Sequence, residues 1–154
     1  MATVAHDLHV LVSVMGRHAE VLLSQSGIGL TYRRFLVLVQ VAELGGATQR
    51  ELADRAGASE AAMSRMVAGL SQAGLVQVQS GPGRRRLVRL TSEGERRLRL
   101  GNEVLGDRFD ALVRSRGVEP TELQTTIRTL IAGLQKSGVG DPAAEHQQEP
   151  SLGR

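Results

Sequence analysis

Residues 48–70 read TQRELADRAGASEAAMSRMVAGL. Thr48 and Glu51 stand three apart, the spacing at which a hydroxyl and a carboxylate each take the other residue's backbone N–H, so a helix is expected to start there. Gly57 stops it, since glycine adopts a left-handed backbone without steric cost. Ser59 then caps a second helix that carries Met63, Met66, Val67 and Leu70 on one face and ends at Gly74. Two short helices joined through a glycine turn form a helix–turn–helix, whose second helix enters the major groove of DNA. Ala53 is small where the two helices approach each other, and Leu52, Met63 and Met66 supply the apolar seam. The opposite face presents Ala61, Ser64, Arg65 and Ala68. It is small enough to lie close to base edges, and its one guanidinium can pair with guanine or a phosphate. A solvated face on an ordinary helical pair has the same pattern, so the neighbouring sequence decides.

Downstream, Val76-Gln77-Val78-Gln79 and Leu87-Val88-Arg89-Leu90 alternate as strands around Ser80-Gly81-Pro82-Gly83, which predicts a hairpin. Arg84, Arg85 and Arg86 follow at its tip. Three adjacent like charges repel, and alternating signs would serve solubility better. Beside a helix–turn–helix such a tip reads as a wing that reaches a neighbouring groove or the backbone. From Ala61 to Ser92 there are five arginines and no Asp or Glu. Up to Lys136 the chain holds 18 basic and 13 acidic residues, so this window accounts for the whole local excess, as an anion-binding surface does.

Working outward, Val4, Leu8, Leu11, Met15 and Leu22 mark a first helix from Thr3 to about Gln25, with His18 at the missing position of the stripe. Thr31 caps a second that runs to Leu44, before Gly45-Gly46. Thr91 or Ser92 caps a long helix with Leu98, Leu105, Phe109 and Leu112 in line; Ser92 and Glu95 have capping-box spacing. Pro120 opens a last helix carrying Leu123, Ile127, Leu130, Ile131 and Leu134. The expected fold is mainly α with a small β-hairpin: a winged helix–turn–helix over residues 1–137, with its DNA-binding lobe at about 31–92 and dimerisation helices at both ends. Residues 138–154 have no apolar stripe and read as a disordered tail.

Composition removes whole classes of function. The 154 residues include no cysteine, which excludes disulfide frameworks, zinc ribbons, iron–sulfur sites and thiol chemistry. Aromatics make up 2%, too few to stack exposed bases as single-strand and RNA-loop binders do. No apolar run spans a membrane and no signal peptide opens the chain, so a cytoplasmic location is expected. His6 and His9 can share one face of a helix, yet a metal site needs three or four ligands with supporting partners, and no metal or cofactor is expected. Neither Gly27 and Gly29 nor Gly81 and Gly83 make a phosphate loop, and no catalytic constellation can be assembled by spacing.

The order of elements, with Gln49-Arg50-Glu51-Leu52-Ala53, the Ser59–Leu70 helix, Gly74-Leu75-Val76 and Leu90-Thr91-Ser92-Glu93-Gly94, resembles the multiple-antibiotic-resistance-regulator (MarR) family over about residues 5–136. The resemblance implies a winged helix–turn–helix homodimer on pseudo-palindromic double-stranded DNA, usually a repressor released by a small molecule. It implies that the first, fifth and sixth helices build the dimer, whose two recognition helices would stand about 34 Å apart. Candidate DNA contacts are Thr48, Gln49, Ser59, Ala61, Ser64, Arg65, Arg84, Arg85 and Arg86, and the candidate effector site is the helix junction near Met15, His18 and Tyr32. Two positions depart from the family pattern. Pro82 stands where an Asp usually orients the wing arginine, here Arg84, and Val78 stands where an Arg often follows Gly-Leu-Val. An effector-independent DNA-binding module and a protein-interaction domain whose arginine tip meets an acidic partner are the alternatives.

Overall fold

A computed structural model of the chain describes residues 3–136, the side chain of Arg84 excepted. The expected tail at 138–154 lies outside the described residues. The chain divides into two compact units, Met1–Phe109 and Asp110–Arg154.

The first unit opens with α1 (Val4–Gln25), whose N-terminus is capped by the Thr3 hydroxyl accepting from the His6 N–H at 3.3 Å. Helix α2 (Tyr32–Glu43) is capped in the same way by Thr31. Helices α3 (Gln49–Ala56) and α4 (Glu60–Gln72) follow, then β1 (Val76–Ser80) and β2 (Arg86–Leu90), and α5 (Ser92–Ser115) begins. The strands pair antiparallel with Val78 opposite Val88, and each is one residue longer than its alternation indicated. A single 3-10 turn, Pro82–Arg84, closes the hairpin, helped by the Gly81 N–H donating to the Arg85 carbonyl at 2.6 Å. Ala47 adds a one-residue bridge to Val88 through two backbone hydrogen bonds, which ties the hairpin to the start of α3.

One core holds these pieces together. Leu23 of α1, Phe35, Leu38 and Val41 of α2, Leu52 and Ala53 of α3, Met63, Val67 and Leu70 of α4, Val76 and Val88 of the hairpin and Leu98 of α5 are all buried in it. Burying each such aliphatic side chain stabilises the fold by about 1.5–3 kcal/mol. The expected seam of Leu52, Met63 and Met66 is part of this core, with Met66 partly exposed at its margin.

The structure adds two details to the sequence reading. Thr91 caps α5 and Ser92 does not: the Thr91 hydroxyl accepts from the Gly94 N–H at 3.0 Å and donates to the Gly74 carbonyl at 2.6 Å. That second bond spans 17 residues, so local spacing carries no trace of it. On α1 the core takes Ala19 and Leu23, whereas Val4 and Leu11 of the expected stripe stand 75% and 44% exposed.

A strut braces the α1–α2 connection. Arg97 donates to the Ile28 carbonyl at 2.6 Å while Glu93 accepts from it at 2.8 Å, and Glu93 also takes a two-pronged bond from Arg96. These arginines, chiefly by hydrogen bonding from Arg96, pull the Glu93 carboxyl from its ordinary 4.5 down to about 2. A carboxylate held low stabilises the fold above its unfolded pKa and loses that contribution as pH falls through the folded one. Thermal stability of the native chain should therefore fall faster between pH 4.5 and 2 than that of Glu93→Gln. Parallel pH profiles would show that the strut does not form in solution.

The second unit contains the end of α5, a turn at Gly117 with φ +75°, and α6 (Pro120–Lys136). No residue of α6 is buried, and Leu130, Ile131 and Leu134 stand 50%, 48% and 66% exposed. No helix among the described residues is long and apolar enough to cross a membrane.

Candidate nucleic-acid interface

The helix–turn–helix forms as its local chemistry dictates. Both halves of the capping box are present: the Thr48 hydroxyl accepts from the Glu51 N–H at 3.2 Å, and Glu51 accepts from the Thr48 N–H at 2.8 Å. The Thr48 hydroxyl also donates to Glu51, so it is engaged on both sides. Thr48's hydrogen bonds hold the Glu51 carboxyl below its ordinary range, and the charge of Arg85 adds a smaller lowering. Gly57 adopts φ +58°, ψ +35°, and the Ala58 N–H closes the turn onto the Ala53 carbonyl at 3.0 Å. Ser59 starts α4 by accepting from the Ala62 N–H at 3.2 Å, which leaves its own hydroxyl hydrogen free to donate.

With Met63, Val67 and Leu70 turned into the core, Ala61, Ser64, Arg65 and Ala68 are exposed on the other side, as the helical period requires. Arg65 has no carboxylate partner among the described residues. Gln49 is half-buried at the start of α3. Beside it Arg50, which is part of the Gln49–Ala53 motif but not among the candidate contacts, has a side chain 78% exposed and only a 4.0 Å approach to Glu60. In the wing, Arg85 and Arg86 are exposed, and the Arg84 side chain lies outside the described residues. Arg86 sits in β2 opposite Ser80, so the tip proper is Pro82–Arg85. Arg89, counted with the basic window, serves the fold instead. Its guanidinium donates to the Gly45 carbonyl at 2.6 Å, and its stem covers Gly46, where a Cβ would come within 3.2 Å of it.

At the other candidate site the Tyr32 ring lies over Gly16, one residue from Met15, and stacks on Phe35 at 6.4 Å between centroids. Burial raises the Tyr32 phenol above its ordinary pKa. Met15 is half-buried and His18 exposed. No three His, Asp or Glu side chains gather as a metal site among the described residues.

A recognition helix with a polar outer face, a glycine turn and a two-stranded basic wing define a winged helix–turn–helix. Among known proteins, residues 28–87 match the family model described as MarR family. Solved structures agree on the fold. Wild-type MarR from E. coli in its apo form is 23% identical with a TM-score of 0.70, over 87% of this chain and 98% of that one. A MarR family transcriptional regulator from Silicibacter pomeroyi DSS is 24% identical with a TM-score of 0.77, over 88% and 90% of the two chains. NadR in complex with 4-hydroxyphenylacetate is 23% identical with a TM-score of 0.74, over 87% and 93%. No curated protein matches in sequence. The MarR resemblance read from the sequence, and the fold class with it, hold.

Proposed function

We propose that this chain is a sequence-specific double-stranded DNA-binding regulator, acting as a repressor that a small molecule releases. The observation that carries the reading is the outward α4 face, with Ser64 and Arg65 meeting no carboxylate among the described residues, next to a wing with Arg85 and Arg86 exposed and no acidic residue between 61 and 92. Small residues let the helix approach base edges, the arginines supply charge for phosphates, and catalysis has no part in it. The test is binding of the duplex that adjoins its own gene, against random duplex, across a salt series. Preference for the adjoining duplex, with an inverted repeat in the protected region, supports the reading. Equal, weak binding to both would defeat it.

The effector arm of the proposal rests on the junction of Met15, His18 and Tyr32, where α1 meets the start of α2. NadR, which shares the fold, holds 4-hydroxyphenylacetate in its structure, and a small organic effector is the corresponding expectation here. To cut operator affinity tenfold, the effector must favour the DNA-incompetent state by about 1.4 kcal/mol.

The regulator acts as a homodimer. Helix α1 leaves Val4, Leu8, Leu11 and Val12 41–75% exposed, and α6 leaves Ile127, Leu130, Ile131 and Leu134 38–66% exposed. Apolar faces of that kind on long helices are covered by a partner in stable proteins, and a second copy supplies it here. Sedimentation should find a dimer at low micromolar concentration. A folded monomer at that concentration would contradict this part of the reading.

A further inference from the structure

Helix α4 carries a single acid. Glu60 is its first residue, and no other Asp or Glu occurs in the rest of the helix or in the wing, between residues 61 and 92. Its side chain is 69% exposed, and the one charged group that approaches it among the described residues is the Arg50 Nε at 4.0 Å. No N–H or O–H among the described residues donates to its carboxylate. Glu60 stands one turn before Ser64 and two turns before Ala68, so it continues the outward ridge of α4. That ridge then runs to the N-terminal end of the helix, the end whose side chains meet base edges when such a helix lies in a major groove.

The carboxylate does little for the protein by itself. An ion pair exposed on both sides and 4.0 Å apart is screened by water and salt and stabilises little. Ser59 already caps the helix through the Ala62 N–H, and an acid in the first turn adds only a modest dipole term. Against DNA the same acid is unfavourable, because phosphates repel it and its oxygens lose water unless a donor takes the place of that water. The donors in a major groove are the cytosine N4 and adenine N6 amino groups. Adenine sets its N7 acceptor beside the amino group, which repels a carboxylate, whereas cytosine sets a carbon-bound hydrogen there. Small neighbours at Ala61 and Ser64 let a base edge come close. We propose that Glu60 is a specificity-determining residue that accepts a hydrogen bond from a cytosine amino group at one position of each half-site. It supplies an acceptor where Arg65 supplies only donors. The inference rests on the DNA-binding reading above and adds to it which base the first residue of α4 selects.

The test is selection of bound duplexes from a random pool by the full native chain and by Glu60→Gln, Glu60→Ala and Arg50→Ala. The native chain should enrich a motif with a fixed cytosine in each half. Glu60→Gln should replace that cytosine by adenine and leave the other positions unchanged, because a carboxamide accepts from N6 and donates to N7 together. Glu60→Ala should leave the position undefined and lower the ratio of native-site to random-duplex affinity about tenfold, with random duplex bound no more weakly than before. Arg50→Ala should keep the cytosine. Melting temperatures of all three variants should stay close to that of the native chain, so a change of base preference reports reading and not folding. An unchanged motif in Glu60→Gln overturns the proposal. Loss of the same base in Arg50→Ala also overturns it, because Arg50 would then be the reader and Glu60 its support. A native chain that enriches no motif defeats the DNA-binding reading and this inference together, whereas a native motif that Glu60→Gln still selects defeats this inference alone.

Discussion

Replacing Gly94 with alanine should destabilise the winged lobe by about 3 kcal/mol and lower the melting temperature by about 10 °C. A Cβ at this position would fall on the carbonyl oxygen of Leu75, with the carbonyl carbon only 3.0 Å away. That carbonyl already accepts the Thr91 N–H at 3.1 Å, and Thr91 grips the neighbouring Gly74 carbonyl, so neither side can retreat without opening the cap of α5. Backbone cannot swing aside as a side chain can, and the close approach there requires glycine. Gly106 is the control in the same helix. Its Cβ would meet nothing within 4 Å, so alanine there should be neutral or stabilise by about 0.5–1 kcal/mol. Calorimetry of the two variants checks the contrast. Equal melting temperatures would mean that α5 does not seat on Leu75 as described.

The second large effect separates reading DNA from gripping it. Arg65 stands on the outward face of α4, so Arg65→Ala should lose about 1–3 kcal/mol of discrimination between operator and random duplex, as well as affinity. The wing should behave differently. Pro82 occupies the position from which, by the family resemblance, an acid would steer Arg84, so Arg84 and Arg85 are expected to act as a positive cluster on phosphates or in a narrow minor groove. Changing both to alanine should weaken operator and random duplex by similar factors. It should also flatten the slope of log affinity against log salt by about 0.9 for each phosphate that the variant no longer neutralises. Anisotropy titrations at several salt concentrations measure both quantities. Loss of preference with an untouched salt slope would make the wing a base reader held by another partner.

What the sequence discloses and what it hides divide by distance along the chain. Thr48 with Glu51, Gly57 and Ser59 act on backbone groups within a few residues, so the helix–turn–helix can be read directly from its letters. The outward face of α4 follows from the same helical period. Arg89 could not be sorted from its basic neighbours, because the carbonyl it braces is 44 residues away. The Arg97 strut spans 69 residues to Ile28 and is equally invisible locally. On α1 the apolar residues are frequent enough to draw several stripes, and only packing against α2 selects Ala19 and Leu23. Arg33, Arg34 and Arg55 read as scattered surface charges until the packing of α2 and α3 beside α4 gathers them with Arg65.

The proposed regulator is a two-fold dimer that reads duplex DNA with α4. Its most direct test is selection of bound duplexes from a random pool with the full chain, followed by sequencing. An enriched inverted repeat is expected, its half-site centres about 10 base pairs apart, one helical turn, with loss of that enrichment in Arg65→Ala. A pool that stays random, or an enriched site without two-fold symmetry that Arg65→Ala still selects, would contradict it.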